Sequence, residues 1–210
     1  MTAGLDEAGK GDYFGPLVVA AVAGESEALR ALGVADSKKI SDARCLKVSA
    51  LVHAHATVEV VAIGPAKYNE LYARMKNLNR LLAWAHARAL ENLLERLPVS
   101  TVLADQFALP HVLEQALLER GARVKLIQAP RSEVHPVVAA ASVVARAEFL
   151  TRLSDLGKRF DFGLPKGAGP PVDQAGRTLL ERGGVDLLRQ VAKLHFKNTQ
   201  KLGVASPGIL

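Results

Sequence analysis

Cysteine occurs once, at Cys45. No internal disulfide can form, and a reducing compartment such as the cytoplasm suits the chain. Aromatic residues make up only 5% of it, which argues against a binding surface built on stacked bases. Long apolar runs are missing too. The longest are Leu17 to Ala23 and, interrupted by Ser142, Val137 to Ala145, and both fall well below the ~18 residues that a membrane span requires. No basic-then-apolar leader stands before the first motif, and no repeat, low-complexity tract or long linker appears. The serines and histidines show no spacing that suggests a nucleophilic triad.

What is present is a core and a lopsided charge. A hydrophobic share of 49% over 210 residues excludes disorder and fits one large domain. The net charge of +6 hides a division: residues 1–119 hold 12 Lys or Arg against 14 Asp or Glu, and residues 120–210 hold 15 against 7. An acid-bearing half followed by a basic half is the pattern of a cation site beside a phosphate-binding surface. Lys and Arg that merely solvate helix faces would give the same count.

Periodicity divides the chain into strands first and helices later. Thr2 to Asp6, Leu17 to Ala23, Ala56 to Gly64, Ser100 to Asp105 and Ala122 to Pro130 read as strands. Leu78, Leu81, Leu82, Ala85, Ala89, Leu93, Leu94 and Leu97 recur at three- and four-residue steps before Pro98, which predicts an amphipathic helix. A helical stretch is expected from Pro110 to Arg120, and mostly helix after Pro136, through "VDLLRQVAKLHF". The order predicts an α/β domain around a mixed sheet, with a helical C-terminal part.

The chemistry concentrates in "GLDEAGKGDYFGP", Gly4 to Pro16. Gly9, Gly11 and Gly15 come near a dinucleotide fingerprint, but Pro16 and a β-branched run follow where a helix should open, and Asp6 and Glu7 would repel a pyrophosphate. The glycines would also suit turns that meet no ligand. Paired carboxylates instead ask for a cation. Neighbouring strand residues face opposite ways, so Asp6 and Glu7 can share a ligand only if the strand breaks at Glu7. Mg²⁺ needs further oxygen donors. Asp105 closes an apolar strand, and Glu133 follows the next strand in "APRSEVHP". Each has an alternative role, Asp105 as a turn former and Glu133 as an acid near a helix N-terminus.

"GLDEAGKGDYFGPLVVAAV", "DSKK", "YNELYARMKNLNRLLAWAHARALENLL", "LADQF", "VVAAASVVARAEFL" and "KLHFKNTQK" together resemble ribonuclease HIII, a branch of the type-2 ribonucleases H. The likeness spans residues 3–201. It implies a ribonuclease H-like α/β fold, a mixed central β-sheet flanked by helices, with 1–201 as the catalytic domain and 202–210 as a tail. The activity implied is endonucleolytic hydrolysis of the RNA strand of RNA/DNA hybrids, leaving 5′-phosphate and 3′-hydroxyl ends. The family's metal-binding carboxylates fall on Asp6, Glu7, Asp105 and Glu133, which would hold two divalent ions, Mg²⁺ or Mn²⁺, with substrate bound. Its substrate loop falls on Gly9, Lys10 and Gly11, and Ser37, Lys38 and Lys39 offer a phosphate contact. Ribonuclease HIII commonly carries an N-terminal substrate-binding domain, and five residues precede Asp6 here, so a chain without that domain is expected. A monomeric cytoplasmic enzyme without membrane contact follows. Two alternatives stay open: an HII-like enzyme cutting at single ribonucleotides in duplex DNA, and a non-catalytic hybrid binder. Lys193, His195 and Lys197 are further candidates for contact with the DNA strand or the catalytic cluster.

Overall fold

A computed structural model describes residues 1–34, 40–106 and 109–204. Its core is a five-stranded sheet of order β3-β2-β1-β4-β5. The strands are β1 (Thr2–Ala8), β2 (Leu17–Ala23), β3 (Thr57–Ile63), β4 (Thr101–Asp105) and β5 (Lys125–Ala129). β1 is central. It pairs antiparallel with β2, from Ala3↔Ala23 to Ala8↔Val18, and parallel with β4, from Thr2↔Thr101 to Leu5↔Ala104. β4 in turn pairs parallel with β5, so the sheet is mixed, as the alternation of short strands and helices predicts. All seven residues of β2 are buried, which is why that strand reads as a continuous apolar run instead of an alternating one.

The helices are α1 (Ser26–Ala31), α2 (Asp42–His55), α3 (Pro65–Met75), α4 (Leu78–Arg96), α5 (Pro110–Glu114), α6 (Pro136–Arg159), α7 (Pro170–Val191) and α8 (Lys197–Lys201). α7 is broken at Gly183 and Gly184, whose backbone angles are not helical. α4 buries Leu81, Leu82, Leu90 and Leu93 completely, each worth about 1.5–3 kcal/mol against exposure. The helical stretch expected over Pro110 to Arg120 is shorter than its pattern, and the strand expected from Ala122 begins only at Lys125. Glu91 of α4 holds the chain just before β5. Its carboxylate accepts the backbone N–H groups of Arg120 and Gly121 and pairs with the Arg120 guanidinium at 3.0 Å, stabilising a 3₁₀ turn at Gly121–Arg123.

Contacts divide the chain into two compact units. The first comprises Met1–Ala8, Val18–Val61 and Asn79–Glu148; the second comprises Gly9–Leu17, Ala62–Leu78 and Phe149–Leu210. Within the first, α6 lies directly on β1 at Gly4, where a Cβ would collide with the backbone of Val137. Only glycine permits that approach. Within the second, Asn69 of α3 fastens the end of α7: its side chain donates to the carbonyls of Arg189 and Ala192 and accepts the Leu194 N–H at 2.9 Å. No helix among the described residues is long and apolar enough to cross a membrane.

Candidate active site

Two of the four carboxylates emerge from β1 and one from β4. Because Leu5 pairs with Ala104 in a parallel register, the next residues along, Asp6 and Asp105, stand side by side at the C-terminal ends of adjacent strands, on one face. Open α/β sheets place ligands at such strand ends. Asp105 Oδ1 accepts the Ser132 N–H at 3.2 Å, which ties the 3₁₀ turn Ser132–Val134, and with it Glu133, to the end of β4. Ser132 closes this turn further by donating its hydroxyl to the Ala129 carbonyl at 2.7 Å.

β1 does not break at Glu7. It continues to Ala8 in register with β2, so strand alternation gives Asp6 and Glu7 different partners. Asp6 receives a hydrogen bond from Ser142 of α6. Glu7 Oε2 is hydrogen-bonded at 3.1 Å to Nε2 of His86, a fully buried residue of α4. The Asp6 carboxylate turns back to accept the Glu7 N–H at 2.8 Å. Among the described residues no group of three His, Cys, Asp or Glu side chains converges into a ready metal-ligand set.

Burial drives the Asp6 carboxyl up to about 7, and the charge of Glu7 adds to the effect; the hydrogen bonds from Ser142 and the Glu7 N–H and the proximity of His86 oppose it. A desolvated carboxyl beside a second one holds a proton where it could hold a cation. Asp6, Glu7, Asp105 and Glu133 carry oxygen donors, the kind a hard divalent ion such as Mg²⁺ or Mn²⁺ takes; donor chemistry, and not a converged ligand set, is what the described residues offer such an ion.

The glycine turn belongs to the second unit, and its two glycines differ. Gly9 has φ +82°, and a Cβ there would collide with the Pro16 carbonyl oxygen and meet Phe149 at 2.9 Å. Its identity is required by the fold. Gly11 has no left-handed backbone and no atom within 4 Å of where a Cβ would stand. No neighbouring atom demands glycine at that position. Lys10, between them, is half-buried. Ser37, Lys38 and Lys39 lie outside the described residues.

His86, Ser142 and Ser132 were not apparent as site residues from sequence. The signal lay in polarity against pattern: a histidine inside the apolar stripe of α4 and a serine inside "VVAAASVVA". Lys193 corrects the expectation of a contact with the DNA strand, because its side chain is fully buried. His195 stacks on Tyr72 with ring centroids 4.3 Å apart. Burial, followed by the charge of Lys193, lowers its pKa to about 4, which marks a packed neutral imidazole.

The family described as Ribonuclease HII matches residues 3–199. The chain is 43% identical over 197 residues to "Ribonuclease HIII" of Protochlamydia amoebophila, an alignment covering 92% of this chain and 65% of the relative. It is 45% identical to "Ribonuclease HIII" of Chlamydia abortus, covering 92% of this chain and 67% of that one. It thus spans about two thirds of the length of these relatives. The crystal structure of Bst-RNase HIII in complex with Mn²⁺ superposes with a TM-score of 0.88 at 31% identity, covering 96% of this chain and 68% of that one.

Proposed function

The chain belongs to the ribonuclease HII family, in which it is similar to proteins named ribonuclease HIII, and on that premise we propose that it hydrolyses the RNA strand of RNA/DNA hybrids. The observation that carries this reading is the parallel register ending at Leu5↔Ala104, which is followed on the two strands by Asp6 and Asp105, beside Glu7, with the Asp6 carboxyl raised to about 7.

Asp6, Glu7, Asp105 and Glu133 are the groups that would hold divalent ions, Mg²⁺ or Mn²⁺, two with substrate bound. Ions held there supply an activated water, relief of phosphate charge and a stabilised 3′-leaving oxygen. The chain's own residues do the positioning. Ser142 and the Glu7 N–H orient the Asp6 carboxyl, His86 orients Glu7, and the Ser132 N–H orients Asp105. Gly11, with open space where a side chain would be, lets backbone come close to a 2′-hydroxyl, the group that distinguishes RNA from DNA. Lys10, and Ser37, Lys38 and Lys39, would meet phosphates. The lone buried Cys45 accords with a cytoplasmic setting, and a monomer suffices for the site.

The test is incubation of a labelled RNA/DNA hybrid with Mg²⁺ or Mn²⁺ and mapping of the products. Internal cuts with 5′-phosphate ends are expected, and a protein that binds the hybrid without cutting it would be a binder instead. A matched pair of DNA duplexes carrying one or four successive ribonucleotides separates the two enzyme readings. Lys10 offers a flexible point charge where a rigid Arg fork would grip a single junction more firmly, so the tract of four is expected to be cut efficiently and the single ribonucleotide slowly in Mg²⁺. Equal rates would favour the HII-like alternative.

A further inference from the structure

Lys193 is fully buried, and its ammonium is spent on the backbone of one loop. Nζ donates to the carbonyl oxygens of Asp12 at 2.7 Å, Gly15 at 2.8 Å and Phe14 at 3.4 Å. Its own backbone N–H donates to the carbonyl of Tyr13 at 2.8 Å. One residue thus takes the carbonyls of four consecutive residues. The same segment is held elsewhere by the Asp12 carboxylate, which accepts the Gly167 N–H at 2.6 Å, and by the Tyr13 hydroxyl, hydrogen-bonded to Thr199 at 3.0 Å. It also carries the glycine turn, since the Asp12 N–H closes onto the Gly9 carbonyl at 3.4 Å and Gly9 is seated against the Pro16 carbonyl.

Burial pulls the Lys193 pKa down to about 7, opposed by Asp12, and the carbonyls of Asp12, Phe14 and Gly15 offset that desolvation; an apolar side chain of the same length would leave them without their donor. Three converging carbonyls match the three N–H bonds of an ammonium. Their direction has a consequence for a polyanion: carbonyl oxygens turned inward are oxygens withheld from the surface that would meet phosphates.

We propose that Lys193 is a positioning residue for recognition of the RNA strand: by drawing the carbonyls of Asp12 to Gly15 inward, it fixes the Gly9-Lys10-Gly11 turn in the shape that meets the ribose-phosphate backbone. This rests on the hybrid-directed reading above. It assigns a joint role to "GDYFGP" and "KLHFKNT", segments about 180 residues apart.

The experiment compares wild type with Lys193→Met, binding an RNA/DNA hybrid and a DNA duplex of the same sequence by fluorescence anisotropy in chelator, where no cutting occurs. Lys193→Met is expected to unfold cooperatively, to bind the hybrid about ten-fold more weakly, and to bind the DNA duplex almost as wild type does, so that the preference collapses. A folded variant with the preference intact overturns the proposal. Amide exchange on the wild type provides a measurement that needs no variant. Residues 9–15 and 193–199 should gain protection together when hybrid binds, and protection of 9–15 alone overturns it. A wild type with no preference for hybrid over duplex would defeat the functional reading itself, and this inference with it.

Discussion

Asp6 serves two states of the protein that want opposite things from it. Ionised, it would serve the proposed function as a cation ligand; desolvated next to Glu7, it is more stable with a proton. Asp6→Asn keeps the shape and removes the charge, so the fold should persist while hybrid cleavage falls by at least ~10³, about 4 kcal/mol of barrier. Turnover near wild type in a folded variant would remove Asp6 from the chemistry. The same residue sets a pH dependence. Its folded pKa of about 7 lies above the ordinary carboxyl value of 3.8, so the protonated form favours the fold. That contribution is complete below about pH 4 and is lost as pH rises through 7. In chelator, the wild type should therefore lose up to a few kcal/mol between pH 5 and pH 8. Denaturant midpoints measured at both pH values for wild type and Asp6→Asn test this, and an equally steep loss in the variant would show that another group is responsible.

The glycine turn separates a fold requirement from a functional one at two positions a single residue apart. Gly9→Ala forces a side chain into a left-handed backbone and onto the Pro16 carbonyl, and should cost at least ~2 kcal/mol of stability. Gly11→Ala enters open space and should leave the thermal midpoint within about a degree or two. It should nevertheless weaken hybrid binding by more than it weakens binding to duplex DNA. If Gly11→Ala binds both as wild type does, the turn is not where ribose is read. The turn itself was legible in sequence from its glycines, as were β2 from its apolar run and α4 from its leucine steps. Glu91 was not: no local pattern announces that a carboxylate on α4 will receive the N–H groups of Arg120 and Gly121. The strand end at Asp105 could be read from an apolar run that stops at an acid, whereas β1, expected to stop at Asp6, runs on to Ala8. The hydrogen bonds of His86 and Ser142 could not be read, because a polar residue on an apolar face tells that it has a partner without telling which. Lys193 was misread for the same reason: a lysine near a predicted helix looks like a surface charge until its three carbonyls are seen.

The charge division of the chain belongs to the molecule as a whole. Residues 120–210 carry 15 Lys or Arg against 7 Asp or Glu, and if they meet phosphates, hybrid affinity should fall by roughly 0.7–0.9 log units per log unit of salt for each contact. A flat response would show that the basic half solvates helices and nothing more. Lys193 is excluded from that count by its burial. Exposed Arg and Lys along α6, α7 and α8, such as Lys158, Arg182 and Lys201, already lie close to protein oxygens, so the number of contacts read from the slope should fall well short of the number of basic residues.

The sheet order also says when the protein can become itself during synthesis. β1 and β2 emerge almost together and can pair as a hairpin, but the parallel partner of β1 begins only at Thr101, and β5 ends at Ala129. At about 5–20 residues per second, the ribosome leaves one edge of β1 and an entirely apolar β2 uncovered for roughly 5–20 seconds. Nascent chains of this protein should therefore be clients of holding chaperones until β4 has left the exit tunnel. Chains arrested before residue 100 should be digested rapidly by protease, and chains extended some 30–40 residues beyond β5 should resist it.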